Sequence, residues 1–431
     1  ELHYVQDVRR VLRAREVVMV SLTSAERLRK DPHGWAAAKN IPEEAKLLVR
    51  LEQDPAAQSA IVSVDPATGY VASQVGGFNF EDSTFNRAVQ ACREPGSAFK
   101  PFVYSAAIDK LDFTASTMID DKPLVFDDPD NAVRWKPSNA ESEFRGELPM
   151  RTALRDSINT PAIRVAEAVG IEDIIKNARR MGIRTPMKRE LGTAIGSSCT
   201  TLFDLTTAYT TLNRYGDRIE LKFIRRVVDR YGNVIEDQSA PSDPAVDLAS
   251  RLDRGYQDFV APKRPAMEPQ TAFLTVSLLQ NVIQSGTGTR ARRLEIPVAG
   301  KTGTTYVAYD AWIMAFTRKR VTGVWVGHDK KERPLGVSEQ GGRTAAPIWV
   351  DYMDKVLTDY TVKKPKRIQH GYFPSPSGVV RVYIDPDTGL LARPGGRSVS
   401  EYFRSGSEPK RYTPDQRFVQ PDSATIFDVD M

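Results

Sequence analysis

The sequence predicts an α+β protein in which helices pack against a central antiparallel sheet. Three observations carry that reading. The runs IPVAGKTGTT, DAWIMAFT and RVTGVWVGHD, between Ile296 and Asp329, are strand-like and joined by short polar connections, as antiparallel neighbours in one sheet require. Far upstream, SAIVSVDPATGYVASQVGG from Ser59 to Gly77 sets two β-rich runs around Asp65, Pro66, Thr68 and Gly69, the grammar of a hairpin. Between these lie segments with apolar residues at three-and-four spacing, the mark of helices buried on one side.

Along the chain, residues 1–55 read as a linker or small lead-in region. It has a helical stretch near Val5–Arg15, a β-branched patch at Val17–Leu22 and a second helical stretch near Glu43–Leu51. Residues 56–360 form the expected main domain. Its helices are predicted over Pro101–Lys110, Met150–Asp156, Pro161–Val169, Thr200–Arg214 and Thr271–Gln284. The segment VVDRYGNVIED from Val227 predicts a hairpin about Gly232 and Asn233. Ser239–Gln270, rich in Pro, Asp and Ala, reads as a long loop. Beyond Tyr360, Pro and Gly become frequent, so residues 361–431 are expected to form a β-rich tail, with VYIDPDTGLLAR from Val382 as a further strand, turn, strand unit.

Composition bounds the function. The 431 residues are 41% hydrophobic and 27% charged, ordinary for a globular chain, which excludes collagen-like, wholly disordered and disulfide-scaffold classes. A net charge of +5 is too dilute to mark a nucleic-acid binder without a clustered stripe. The densest basic run, Lys363, Lys364, Lys366 and Arg367, surrounds Pro365 and reads as a solvated linker. Four scattered histidines, His3, His33, His328 and His370, show no HExxH or Cys/His spacing, so no metal site is expected. Cys92 and Cys199 are too few to hold a metal, and whether they pair depends on a distance that sequence does not reveal. No apolar run approaches the ~20 residues of a membrane helix. The opening Glu1 leads to the expectation that the chain is a fragment of a longer protein.

The candidate chemistry begins at EPGSAFKPFVYSAAI, where Ser97 follows Pro95 and Gly96 and precedes an apolar helical run. Lys100 is one turn on, and three residues apart on a helix is the same face. Serine is a weak nucleophile until a neighbour takes its proton, and a lysine serves if burial or nearby positive charge lowers its proton affinity. The pattern SxxK recurs at Ser407–Lys410, but there Glu and Pro intervene in a turn-rich stretch, so the helix-start geometry is missing. Two further patterns accompany Ser97. In DSINTP, Ser157 and Asn159 fall at the junction of two helices, suited to relaying a proton and to hydrogen-bonding a substrate amide. Lys301, Thr302 and Gly303 lie in a strand that could hold a carboxylate and let a substrate approach the backbone. Taken singly, SxN is a common helix cap and KTG a common edge-strand start.

SxxK, SxN and KTG in this order resemble the signature shared by β-lactamases and penicillin-binding proteins. From about Ala60 to Tyr360 the chain is similar to the transpeptidase domain of class A, bifunctional penicillin-binding proteins. The likeness includes VDPATGYVASQVGG, FNRAVQ, the WKPSNAESEFRG block from Trp135 to Gly146, QSGTGTRA, AGKTGTT and DAWIMAFT, with IDPDTGLLA and EYFRSGSEP in the tail. The resemblance implies the penicillin-binding protein/β-lactamase-like α+β fold with small appendages at both ends. It implies a serine D,D-transpeptidase that cross-links peptidoglycan stem peptides, is trapped by β-lactams, and uses no cofactor or metal. In it Ser97 is the acylated nucleophile, Lys100 its base, Ser157 and Lys301 a proton relay, and Asn159, Thr302, Gly303 and Thr304 bind substrate. The backbone amides of Ser97 and Thr304 form the oxyanion hole.

The same resemblance implies a bacterial inner-membrane protein with its catalytic domain in the periplasm, anchored by a segment upstream of this chain, with elongation or division proteins as partners. It implies a glycosyltransferase in the full-length protein, for which residues 1–55 lack the length and acidic residues. One departure is local: where the family usually continues KTGTT with Asn and Asp, Tyr306 and Val307 follow, placing bulk without charge at the mouth of the cleft. A D,D-carboxypeptidase or β-lactamase would use the same three motifs, and a catalytically idle sensor or scaffold could keep the fold. Other classes fail on spacing. GKT at Gly300 has Glu295 where a P-loop needs glycine, Gly286 and Gly288 follow a helical run and not a strand, and no GxSxG elbow occurs.

Overall fold

The computed structural model describes residues 20–23, 48–51, 55–126, 134–140, 143–260, 265–336, 338–359, 366–368 and 370–414. The chain divides into two units, Glu1–Ala57 and Gln58–Met431. In the first, β1 (Val20–Thr23) pairs antiparallel with β2 (Leu48–Leu51). The expected helix near Glu43–Leu51 is thus corrected at its end: Val49 and Leu51 lie either side of Arg50 at the two-residue period of a strand, and VSLT supplies the partner that fixes it. The helix expected at Val5–Arg15 lies outside the described residues.

The second unit is built on a five-stranded sheet in the order β4 (Val71–Val75), β3 (Gln58–Val64), β11 (Arg320–Gly327), β10 (Asp310–Thr317), β9 (Ala299–Thr304), antiparallel throughout. The expected hairpin is present, Gly69 at φ +76° closing its turn on Asp65. Strands β10 and β11 read as nearly continuous apolar runs because helices cover both faces of the sheet. Neighbouring residues of β11 show this: Met353 touches the Thr322 hydroxyl on one face, and on the other Leu202 lies over Gly323.

The helices are α1 (Lys100–Lys110), α2 (Met150–Arg155), α3 (Asn159–Val169), α4 (Ile171–Met181), α5 (Leu202–Asn213), α6 (Leu248–Val260), α7 (Pro269–Ser285) and α8 (Gly341–Val356). Helix α1 is buried almost all round, packed among α3, α4 and α7, which is why its sequence is apolar on every face. Two antiparallel strand pairs complete this unit's middle. They are β5 (Met118–Asp121) with β6 (Gly146–Pro149), and β7 (Arg226–Val228) with β8 (Val234–Asp237), the latter the one expected about Gly232.

Two further expectations are revised. The loop predicted over Ser239–Gln270 contains α6, whose Leu248, Leu252 and Tyr256 keep helical spacing but are all exposed, so no burial marked it out. In the tail, β12 (Thr358–Asp359) pairs with β13 (Lys366–Arg367), while Lys363 and Lys364 of the basic run lie outside the described residues. Within VYIDPDTGLLAR the turn forms, but the return run pairs with Ile384 only at Leu391. The ladder partner of β14 (Val379–Ile384) is instead β15 (Val399–Arg404). Strand β15 brings Tyr402 edge-on to Phe273 at 5.1 Å and pairs buried Glu401 with Arg151, fixing the tail to α7 and α2. His370 is buried with Nδ1 2.5 Å from the Thr317 hydroxyl, and burial and nearby cations lower its pKa to about 4.

Candidate active site

Ser97 sits in a single 3-10 turn, Gly96–Phe99, that runs directly into α1 at Lys100. In a 3-10 turn residues three apart eclipse, so Ser97 and Lys100 share a side, as the spacing predicts. The turn is held from several directions. The Trp312 indole donates to Glu94 O at 2.9 Å and the Tyr209 hydroxyl to Ala98 O at 2.8 Å. Gly96 has φ +52°, and a Cβ there would lie 2.4 Å from Thr304 O. Only glycine allows this left-handed turn to rest against β9. Ser97 is half-buried, and its hydroxyl makes no hydrogen bond to the described residues. The second SxxK pair is in a surface turn after β15, its Ser407 hydroxyl spent on Arg404 O.

Lys100 is fully buried, and its Nζ donates to Ser157 O at 2.6 Å, Asn159 Oδ1 at 2.8 Å and Ile158 O at 3.0 Å, with Ser157 Oγ 3.5 Å away. Lys301, also fully buried, reaches the same hydroxyl from β9 at 2.8 Å. Ser157 Oγ thus lies between two amines. Burial, and then the charge of Lys301, hold the Lys100 amine well below the usual lysine range, outweighing its carbonyl partners, and burial lowers Lys301 to about 7. Ser157 occupies the left-handed region at φ +62°, a conformation that a non-glycine residue keeps only when its surroundings impose it.

Asn159 opens α3 and is engaged at both ends, Oδ1 with Lys100 and one Nδ2 proton with Ser138 O at 2.8 Å. Its second Nδ2 proton remains for a ligand. On β9, Lys301 and Gly303 face the Ser97 turn. A Cβ at Gly303 would meet Pro95 O at 2.3 Å, so the close approach expected there of a substrate is made by the chain itself. Thr302 bonds Thr287 of QSGTGTRA, hydroxyl to hydroxyl at 2.6 Å, and the Thr304 hydroxyl accepts from Gly341 N at 3.1 Å. All eight predicted residues therefore fall in one region, on α1 and the turn before it, the α2–α3 junction, and β9.

The motifs leave out a support that is evident in space. Asn139 Oδ1 accepts from the backbone amides of Asn159 at 3.0 Å and Thr160 at 3.2 Å, capping α3 from outside the helix. Its Nδ2 donates to buried Asp121 at 2.8 Å, and Asp121 also bonds the Thr160 hydroxyl and Arg145 N. Asn139 belongs to the WKPSNAESEFRG block noted in the sequence without a role, whereas nothing local marks Asp121. Asn139→Ala leaves two amides and a carboxylate short of partners. It is expected to cost about 2 kcal/mol of stability and to slow β-lactam acylation roughly tenfold through the displaced turn, read by calorimetry and labelling rate. Unchanged labelling would limit Asn139 to a folding role.

The cysteines pair: Cys92 and Cys199 form a disulfide with Cα atoms 5.2 Å apart. Beside it Arg93 and Thr200 exchange backbone hydrogen bonds of 2.9 and 2.8 Å, and Gly96 N donates to Gly196 O at 3.3 Å. The bridge thus ties the segment leading to Ser97 onto the loop before α5.

A sheet of this order with buried helix α1 at its side and this serine–lysine cleft defines a protein of the penicillin-binding protein and β-lactamase class. Comparison with known proteins narrows the class. The family profile described as the penicillin-binding protein transpeptidase domain matches residues 59–354, and that of the penicillin-binding protein 1A C-terminal domain matches residues 375–417. The chain belongs to the penicillin-binding protein transpeptidase family. It is 37% identical over 380 residues to penicillin-binding protein 1A of Pseudomonas aeruginosa, covering 80% of this chain and 45% of that protein. It is also 37% identical over 307 residues to penicillin-binding protein 1A of Neisseria gonorrhoeae, covering 70% and 36%. It thus spans less than half the length of these relatives. The crystal structure of penicillin-binding protein 1A from Haemophilus influenzae superposes with a TM-score of 0.72 at 31% identity, over 85% of this chain and 56% of that one. PonA1 from Mycobacterium tuberculosis in complex with penicillin V gives 0.59 at 26% identity, over 75% and 85%.

Proposed function

We propose that this chain is a serine D,D-transpeptidase domain acting on peptidoglycan stem peptides. Ser97 Oγ attacks the carbonyl of the D-Ala-D-Ala bond, its proton passes to Lys100, and the amides of Ser97 and Thr304 hold the oxyanion. Ser157 and Lys301 relay the proton to the departing D-Ala amine. A neighbouring stem's amine then takes the acyl group from Ser97. Asn159 offers its remaining Nδ2 proton to the donor amide, and Lys301 and Thr302 line the side that receives the carboxylate, Gly303 being packed against Pro95 and Thr304 serving through its amide. The observation that carries the reading is the pair of fully buried lysines meeting at Ser157 Oγ beside the Ser97 turn. β-Lactams carry the same acyl and carboxylate groups and would trap the same serine.

The disulfide supports an oxidising compartment, in keeping with a periplasmic domain. No described helix is long and apolar enough to cross a membrane. Anchorage in the inner membrane, a glycosyltransferase activity and contacts with elongation or division proteins are assigned to the full-length protein.

The test is to label the purified chain with a fluorescent penicillin, map the adduct by mass spectrometry and follow its lifetime. An adduct on Ser97 lasting many minutes, with aminolysis of a D-Ala-D-Ala donor by an added D-amino acid, is the expected result. Turnover within seconds would make the chain a β-lactamase, hydrolysis without aminolysis a carboxypeptidase, and no adduct a sensor or scaffold. The pH dependence has a defined sign. The second-order acylation constant should rise with pH as the free Lys100 amine is populated, and fall above about 7 as Lys301 loses the charge that draws the carboxylate. Lys301→Gln should remove that upper limb, and a limb that persists would assign it to another group.

A further inference from the structure

Ser157, whose hydroxyl lies between the two lysine amines, takes its place from α2. Asp156 N donates to Thr152 O at 3.0 Å, Ser157 N to Leu154 O at 3.2 Å and Ile158 N to Ala153 O at 3.0 Å, so the strained residue hangs from the last carbonyls of that helix. Any shift or tilt of α2 is passed on to Ser157 Oγ. With only six residues the helix has little stability of its own and is placed by what grips it.

At its far end α2 is gripped by the C-terminal tail. Glu401 of β15 is 1% exposed, and its two oxygens accept from Arg151 Nε and Nη2 as a bidentate pair, Oε1 accepting also from Tyr402 N at 2.8 Å. The same guanidinium donates to Ser277 Oγ of α7 at 3.2 Å, so Arg151 is fixed between α7 and β15. A second tail contact lies beside it. A Cβ on Gly389 would be 2.6 Å from Ser116 O, in the segment whose neighbours Thr117 O and Ala115 O accept from Met150 N at 2.8 Å and Arg151 N at 2.9 Å. Arg404 extends the hold to the other helices, bonding Thr271 of α7 and lying 3.9 Å from Asp109 of α1. A buried ion pair adds little net stability over apolar residues of the same volume. What the bidentate pair supplies is direction, two parallel bonds that fix where Arg151 stands.

We propose that Glu401 is a positioning residue for acylation: through Arg151 it sets α2, and through α2 it keeps Ser157 Oγ at the meeting point of the Lys100 and Lys301 amines. The tail thereby governs a proton relay that it does not touch. Asn159 is held separately by Asn139, and Lys301 by β9, so the pair bears on the rate of acyl transfer and not on the binding of substrate. The proposal rests on the transpeptidase reading above.

The test is acylation of Ser97 by benzylpenicillin over a range of concentrations, which yields the dissociation constant of the first complex and the acylation rate constant separately. Melting temperatures confirm folding. In Glu401→Gln the rate constant should fall about tenfold with the dissociation constant and the final adduct yield unchanged. Arg151→Lys, which keeps the charge but gives up the two-bond geometry, should do the same, and it stands in if Glu401→Gln does not fold. Tyr402→Leu loosens the tail on Phe273 and leaves the ion pair, so it should lower the melting temperature and leave the rate constant alone. In a Ser157→Ala background the further substitution Glu401→Gln should cost less than about twofold, because the group it positions is already gone. A rate constant in the single variants within about twofold of wild type, an equal loss in Tyr402→Leu, or a full loss that persists in the Ser157→Ala background overturns the assignment and leaves the transpeptidase reading intact. Absence of any Ser97 adduct in wild type overturns that reading, and this one with it.

Discussion

Lys100→Met is expected to slow acylation of Ser97 by about 10³- to 10⁴-fold, with the protein still folded. General-base assistance contributes about 10²- to 10⁴-fold, and Lys100 is the amine one turn on from Ser97 along the same segment. Methionine fills a similar volume, and its apolar stem suits a site that already penalises charge. The loss of three donated hydrogen bonds to Ser157 O, Ile158 O and Asn159 Oδ1 is partly offset by relief of lysine burial, so stability should change by only about 1–2 kcal/mol. Lys100→Arg separates the roles. Arginine keeps the charge but does not give up its proton in proteins, so it should be as slow as methionine if Lys100 is the base. Stopped-flow acylation by benzylpenicillin decides the matter; a methionine variant within tenfold of wild type would hand the proton to Lys301 through Ser157.

The second large effect concerns stability. Cys92 and Cys199 are 107 residues apart in sequence, and closing a loop of that size removes about 5 kcal/mol of unfolded-state entropy in the chain-entropy account. The double variant Cys92→Ser, Cys199→Ser should therefore lose roughly 10 °C of melting temperature, and reductant should do the same to wild type, since Cys92 is exposed. Acylation should suffer less, because the Arg93–Thr200 and Gly96–Gly196 backbone bonds still join the two loops in the folded state. Calorimetry with and without reductant reads the first effect and labelling rate the second. A melting temperature within 2 °C of wild type would show that these contacts alone fix the segment before Ser97.

Much of the fold is written in local sequence. The helices carrying Lys100, Asn159, Leu202 and Phe273, and the strands from Val298 to Gly327, declare themselves as apolar runs of fitting length with punctuation at their ends. The SxxK, SxN and KTG residues stand out by their order along the chain and by the family resemblance, since SxN alone is a common helix cap and KTG alone a common strand start. Even α4 was within reach, since Ile171, Ile174, Ile175, Ala178 and Met181 keep helical spacing. Helix α6 was not, because Pro and Asp surround an apolar stripe that no core covers.

Sequence alone determined which elements carry the SxxK, SxN and KTG residues, since helix and strand starts depend on interactions within a few positions of chain. Tertiary structure decided what those residues are like. Lys100 meets Ser157 across 57 positions and Lys301 meets it across 144, and their burial, with the charge of Lys301 acting on Lys100, lowers their proton affinity. Asp121 reaches Asn139, the two cysteines find each other, and β14 takes β15 over its own turn, all through contacts whose partners periodicity cannot name. Such pairings are chosen by the free energy of the whole packed core, where a distant residue in space outweighs a near one in sequence.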